Sequence, residues 1–403
     1  YINPSVKNLV LYAVNDQDGS FIQYNIKSYI PFQITELQAI DNAVMIGGYF
    51  NDVPLVLYFN MALLQSKILP GLFNEEGELT QIKPYSDGTF DVLISAKNFN
   101  RKKTIWIKSY SHEGNLIAHY TVEPAGNTNL IFARSVKTDR NTQLIAGVYG
   151  YKNSEYSRGL FVTSITSSGY QQLRYYNFAD LENFFKYMKA KRESRVRERI
   201  ERRKIKGKKL RFNYRFLVHE VVEHNGQFIL LGEAFYPKYR SIESSYPGGF
   251  FRTYSNYATI RNGHIFEGYW YTHAVVMAFD ENGKLLWDNS FEINDVRTFT
   301  LEQFVKIEVK DDRIVLLYFF DNTLRTKIIQ GNRVLEGKTA DPVKTRYTHD
   351  VALIPKGSTP TGKLEYWYDN FFYAYGVQQI VNGIDTPLSP KRRVFFINKI
   401  NCR

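Results

Sequence analysis

The sequence is short of the residues that most often announce chemistry. Its single cysteine, Cys402, sits beside the C-terminal residue, so the chain can form no internal disulfide and no cysteine-based zinc site. No apolar run approaches the roughly 18 to 20 residues that a membrane-crossing helix needs, so the chain has no transmembrane segment of its own by that route. Glycine-rich phosphate loops and serine-centred nucleophile elbows are missing. His219-Glu220-Val221-Val222-Glu223-His224 starts like a helical zinc-protease motif, but the second histidine would have to stand at 223, which is glutamate. The stretch runs into Asn225-Gly226 and reads as a strand, with His219 and Glu223 on one face and His224 on the other. Asn15-Asp16-Gln17-Asp18-Gly19 opens like a calcium loop, lacks the later bidentate acid, and reads as a hairpin turn. His273, just before Ala274-Val275-Val276, reads as a hydrogen-bonding residue that positions a strand. The expectation is a chain with no catalytic residues, no metal site and no cofactor.

Aromatic side chains, by contrast, are plentiful: 30 Tyr and 29 Phe against 4 Met in 403 residues. Such rings pack well on a pleated, half-buried surface and favour β-structure. A short apolar strand pattern recurs seven times, at 9–13, 43–48, 91–96, 143–147, 228–232, 314–318 and 371–376. Several copies follow a turn of Asp, Asn or Gly, as where a hairpin reverses into a buried strand. Small residues at the far end of the pattern suit a crowded position. Anchored on Val10, Val44, Val92, Leu144, Ile229, Val315 and Phe372, the copies lie 34, 48, 52, 85, 86 and 57 residues apart. Treating 178–211 and 236–271 as insertions reduces the two long intervals to 51 and 50.

A second hairpin follows several copies, turning at 112–115, 167–169 and 280–283, which gives four short strands per unit. Four-stranded antiparallel units at such a period are the signature of a β-propeller. The expected fold is an all-β propeller, seven blades favoured and six the alternative, spanning 1–403 as one domain closed by its N- and C-terminal strands. A pair of β-sandwich domains is the competing explanation of evenly spaced strands.

Lys and Arg number 52 against 40 Asp and Glu, a formal +12. Residues 180–211 hold fourteen basic and five acidic side chains, so +9 of that excess lies in one segment and the body is near neutral. Residues 180–206 read as one helix of about 27 residues, roughly 40 Å long. Asp180 is placed to cap its start and Gly207 its end. Leu181, Phe184, Phe185 and Met188 would dock its first turns on the propeller while the distal half projects. Lys189, Lys191, Arg192, Arg195, Arg199, Arg202, Arg203 and Lys206 are the candidate contacts to an anionic partner. Nucleic acid is not expected, because no aromatic residue interleaves the charges after Tyr187 and no helix-turn-helix, zinc-finger or RNA-binding signature is present. The second insertion is rich in Tyr and poor in charge, which suits protein recognition through Tyr239, Tyr246, Phe250, Phe251, Tyr254 and Tyr257.

Three stretches carry a resemblance: Gln227-Phe228-Ile229-Leu230-Leu231-Gly232-Glu233-Ala234-Phe235-Tyr236-Pro237, then Tyr271-Thr272-His273-Ala274-Val275-Val276-Met277-Ala278-Phe279-Asp280, then Gly283-Lys284-Leu285-Leu286-Trp287-Asp288. The chain resembles exported propeller-like proteins of Bacteroidota, and within them is similar to the plug subunit of the type 9 secretion translocon. The resemblance is strongest in the middle third. It implies a non-enzymatic periplasmic protein in a multi-protein complex. Such a protein docks on a large outer-membrane β-barrel translocon protein and closes its periplasmic opening until cargo engages. That the sequence opens at Tyr1 rather than Met agrees with an expectation of export. The competing expectation is a periplasmic propeller that binds a ligand or glycan, or acts as an enzyme, at its central pocket.

Overall fold

A computed structural model describes residues 8–28, 30–72, 76–138, 142–151, 154, 156–166, 169, 172–208, 212, 214–241, 260–261, 264–294, 296–345, 347–353, 362–382, 384 and 390–402. Among the described residues the strands form seven sheets that follow one another along the chain. Sheet I pairs Asn8–Val14 with Phe21–Lys27. Sheet II runs Gln33–Ile40, Ala43–Phe50, Val53–Asn60, Gln65–Ile68, and sheet III runs Gly77–Pro84, Phe90–Lys97, Lys103–Tyr110, Leu116–Val122. Sheet IV is Thr128–Lys137, Gln143–Tyr151, Ser157–Ile165, Arg174–Asn177. Sheet V is Arg215–His224, Gln227–Ser241, His264–Phe279, Leu285–Glu292, with Ile260–Arg261 and Arg297–Thr298 added to its long third strand. Sheet VI is Lys306–Lys310, Arg313–Phe320, Thr323–Gln330, Arg333–Pro342. Sheet VII contains Val351–Leu353, Gly362–Tyr368, Phe371–Val381 and Lys391–Asn401. Each of the seven repeat copies falls in a different sheet, and this succession of antiparallel meanders is that of a β-propeller.

The residues group into two compact units, Tyr1–Asn177 with Glu281–Gly283, and Phe178–Asp280 with Lys284–Arg403. In the first unit, sheets I and II share a core of Ile26, Val44, Ile46 and Leu57. Sheets II and III share Met45, Val56, Ile82, Val92 and Ile94, while III and IV share Leu93, Ile107, Leu130, Ile145 and Phe161. In the second unit, V and VI meet through Ile229, Val276, Phe291, Leu316 and Tyr318, and VI and VII through Leu317, Phe319, Leu364 and Phe372. Val44 and Met45, Val92 and Leu93, and Leu316 and Leu317 thus face opposite cores. Burial on both faces is why the repeated strand reads as a continuous apolar run instead of an alternating one.

Turn chemistry accounts for the signals before these strands. Asp41 (φ 48°), Asn225 (φ 51°), Gly226 (φ 70°) and Asp311 (φ 52°) occupy the left-handed region that tight hairpins need. The small residues have a local cause: a Cβ on Gly147 would lie 2.0 Å from the Phe132 carbonyl oxygen, and one on Gly48 2.1 Å from that of Gln33. The crowding comes from the first strand of the same sheet.

Both insertions differ in detail from expectation. The helix spans Ala190–Ile205, 16 residues and about 24 Å. Its N-cap is Lys189, with no side-chain cap; Asp180 ends a 3-10 turn, Phe178–Asp180, and pairs with Lys204 at 2.8 Å. Residues 181–188 are held out of the helix by Asp288, whose carboxylate accepts the backbone N–H groups of Glu182 (3.1 Å) and Asn183 (2.7 Å). The C-terminal expectation holds: Gly207 is left-handed (φ 60°) and donates to Lys204 O, with Lys208 donating to Arg203 O. In the second insertion the flanks are strand, Tyr236 pairing with Trp270 and Tyr239 with Phe266 as a continuation of the sheet V hairpin. The same sheet slips register between Val218 and Val221, and His219 is buried while Glu223 is exposed, so the two do not share an environment.

Candidate docking surface

The base of the helix is an aromatic nest. Phe178, Phe184 and Phe185 are buried. Phe178 stacks on both Phe184 and Phe216 with centroids 4.5 Å apart, and Phe184 meets Phe185 edge-on at 4.9 Å. Tyr187 stacks on His273 and its hydroxyl lies 2.7 Å from that of Tyr214. Burial pushes the Tyr187 phenol far above its ordinary value and the His273 imidazole down to about 3. Both stay neutral at neutral pH, so the nest is an uncharged clamp.

Above this base the helix carries its charges on separate faces. Ile200 is its buried residue; on the same side Arg197 donates to Glu193 (2.8 Å) and to the Glu182 carbonyl, with its guanidinium over Phe185. Lys204 reaches Asp180 there as well. Arg192, Arg195, Arg199, Arg202 and Lys206 recur at spacings of 3, 4, 3 and 4 residues. With Lys191 and Arg203 they occupy about 120° of the helix circumference along about 20 Å of its length. All seven side chains are exposed. Arg202 makes a 3.6 Å exposed pair with Glu198; Lys191, Arg192, Arg195, Arg199, Arg203 and Lys206 form no ion pair with a described residue. The anchoring charges are therefore compensated, and among the described residues six of the seven cations of the outward stripe are not. Lys189, at the N-cap, is exposed but lies off this stripe. The 3-4-3-4 spacing of the stripe was available in the sequence; the total charge of the segment obscured it.

The Tyr-rich candidates are divided. Tyr239 is 54% exposed and tilts against Phe266 at 5.4 Å. Beside it, Lys238 pairs with Glu267 (3.4 Å) and lies 4.6 Å above the Trp270 ring. Tyr246, Phe250, Phe251, Tyr254 and Tyr257 lie outside the described residues.

Elsewhere two buried carboxylates hold neighbouring groups in place. Glu233 accepts the backbone N–H of Phe304 at 2.9 Å and of Val305, and lies 3.2 Å from His219 Nε2 without hydrogen-bond alignment. Asp91 accepts from Tyr85, Ser109 and Gln143. Among the described residues no group of His, Cys, Asp and Glu is placed to hold a metal ion. A groove of about 420 Å³ in the second unit is floored by Phe304, Phe319 and Tyr375. At its rim Lys363 pairs with Glu302 (3.2 Å), and Lys306 with Glu365 (2.7 Å). No described helix is long and apolar enough to cross a membrane.

No known family model matches the chain, and no curated protein matches it. Solved structures similar to it include the β-propeller domain of the Trilobed protease from Pyrococcus furiosus, at 10% identity over 97% of this chain and 92% of that one, with a TM-score of 0.38. The Dos1 propeller is similar at 10% identity over 92% of this chain and 70% of that one, TM-score 0.42. Dihydro-heme d1 dehydrogenase NirN is similar at 10% identity and TM-score 0.44; the match takes in 98% of this chain but only 64% of NirN. What places this chain among β-propellers is its own succession of meander sheets.

Proposed function

We propose that this chain is a non-enzymatic interaction protein of the bacterial envelope, and that the helix Ala190–Ile205 is its docking element. The observation that supports this reading most is the stripe of uncompensated cations on a helix whose other charges are paired and whose base is clamped by buried rings. Six cations without an ion-pair partner among the described residues, along one rigid face, match an acidic protein surface better than a solvated face, where intrahelical pairs would be expected to use them. On the resemblance described above, the partner is a large outer-membrane β-barrel protein of the type 9 secretion translocon. The chain would then reside in the periplasm as part of a multi-protein complex and plug the periplasmic opening.

The test is an affinity pull-down from a mildly solubilised envelope of a bacterium with this secretion system. Wild-type chain is compared with Arg192→Glu/Arg195→Glu/Arg199→Glu. Recovery of a very large barrel protein by the wild type and not by the variant supports the reading. Equal recovery by both removes the helix from it, and recovery of the bait alone removes the translocon. Deleting the whole 180–209 segment is unsuitable, because it would take Phe184 and Phe185 out of the core.

A second reading, a ligand- or glycan-binding propeller, has the groove over Phe304, Phe319 and Tyr375 in its favour. A glycan panel screened by thermal shift tests it; a shift abolished by Tyr375→Ala would move the assignment there.

A further inference from the structure

Sheet VII is one strand narrower than sheets II, III, IV and VI. Sheets II, III, IV and VI each run four strands in chain order. In sheet VII, Phe371–Val381 pairs along its whole length with Lys391–Asn401 on one edge, and divides its other edge between Val351–Leu353 and Gly362–Tyr368. The sheet is thus three strands wide, and Lys391–Asn401, which stands third, has no fourth strand beside it among the described residues. At 11 residues this edge is twice the ordinary strand length of about 5 to 6. An open edge of that length presents a row of N–H and C=O groups to any extended segment.

Its side chains say what kind of segment. Phe396 and Ile400 turn toward the core shared with Phe319 and Phe372. On the opposite face Phe395 is 67% and Ile397 63% exposed. Val377 and Tyr375, their cross-strand neighbours, extend this apolar centre. On this exposed face Arg393 stands toward one end of the strand and Lys399 toward the other, while Arg392, on the core-facing side, is paired with Asp350; the strand has no acidic residue. Lys399 lies 3.6 Å above the Phe371 ring, which fixes its charge at the sheet surface.

We propose that this edge receives a β-strand from a partner protein, a segment apolar at its centre and acidic toward its ends, which completes sheet VII to four strands. Main-chain hydrogen bonds would supply the affinity, and the carboxylates opposite the terminal cations the register. A second copy of the same strand is a poor occupant, because antiparallel pairing sets Arg393 of each against Lys399 of the other. The cations that keep the edge from pairing with itself are the ones that select an acidic strand. This surface is separate from the basic helix and the inference stands independently of that docking role.

The test titrates the chain into a fluorescein-labelled peptide of alternating valine and threonine with glutamates at both ends, 11 residues long to match the edge. Saturable binding is expected. It should weaken by about tenfold when the glutamates become lysines, and by at least as much when the amides along one peptide edge are N-methylated. Hydrogen exchange should show the amides of 391–401 that face away from Phe371–Val381 gaining protection with the peptide. Unchanged binding of the N-methylated peptide would overturn strand addition in favour of charge attraction alone. Full protection of those amides without peptide would show the edge filled from within the chain and overturn it too. A concentration-dependent dimer that excludes the peptide would assign the edge to a second copy. Binding lost in Arg195→Glu/Arg199→Glu but kept in Phe395→Ser/Ile397→Ser would place the peptide on the helix and also refute the proposal.

Discussion

The phenol ring of Tyr187 lies flat on the imidazole of His273, centroids 3.8 Å apart and planes 6° from parallel. This contact joins the segment leading into the basic helix to the third strand of sheet V. It buries an imidazole completely. His273 Nδ1 is 2.8 Å from Thr272 Oγ1, and Nε2 is buried with no hydrogen-bond partner among the described residues. Desolvation therefore lowers the pKa from 6.5 to about 3.

That depression sets a pH dependence. Below about pH 6.5 the unfolded chain takes up a proton that the folded chain refuses, so the contribution to stability is full above that value and declines as pH falls toward about 3. The slope is up to about 1.4 kcal/mol per pH unit. His273→Phe keeps the stacking and removes the titration. Urea unfolding of both proteins at neutral and acidic pH should show the wild type losing more stability on acidification; parallel losses would mean that His273 is not buried neutral.

Phe184 is the centre of the nest, packed on Phe178, Phe185, Phe216 and His273. Phe184→Ala should cost about 3 to 5 kcal/mol, the range for deleting a buried ring. Ile205→Ser, at a side chain 83% exposed on the last turn of the helix, should stay within about 0.5 kcal/mol. Melting temperatures separate the two.

Charges on the two sides of the helix should behave oppositely. Arg195→Glu/Arg199→Glu should leave thermal stability nearly unchanged and lower the salt at which the protein leaves a heparin column. Arg197→Glu should destabilise by about 1 kcal/mol, through loss of its pair with Glu193 and its bond to the Glu182 carbonyl, with a smaller change in heparin affinity. Identical elution of the two variants would mean that the stripe is not a separate surface. Duplex DNA titrated at low and moderate salt should show only weak binding that disappears as salt rises.

Lys327 donates to Asn289 Oδ1 (2.8 Å) and the Ser290 carbonyl (2.6 Å), and burial, with Lys186 nearby, lowers its pKa to about 8. The unfolded chain holds this proton up to about pH 10.5, so stability associated with Lys327 rises between about 8 and 10.5 and is lost again as pH falls through about 8. Carbon-13 methylated lysines followed by NMR should show one resonance titrating well before the rest. Its persistence in Lys327→Arg would reassign it.

Much of the fold could be read directly. Seven apolar strand copies, their Asp, Asn and Gly turns and the two interrupting segments are local patterns, and each copy lies in its own sheet. The left-handed Gly207 was equally legible, because a glycine after a charged amphipathic run has one common use. The helix start was not. Leu181, Phe184, Phe185 and Met188 have helical spacing, yet Asp288, more than a hundred residues away in sequence, takes the amides of Glu182 and Asn183 and holds the segment in turns. The three-strand width of sheet VII among the described residues escaped as well, since a strand pattern carries no mark of whether a neighbour exists.

The sequence alone thus determined the succession of the seven repeated strands and the place of the charge, because apolar runs, turn propensity and charge are properties of neighbouring residues. Only the tertiary structure decided which cations are compensated, which histidine is kept neutral and how wide each sheet is among the described residues. Those depend on what residues distant in the chain bring within hydrogen-bonding or packing distance.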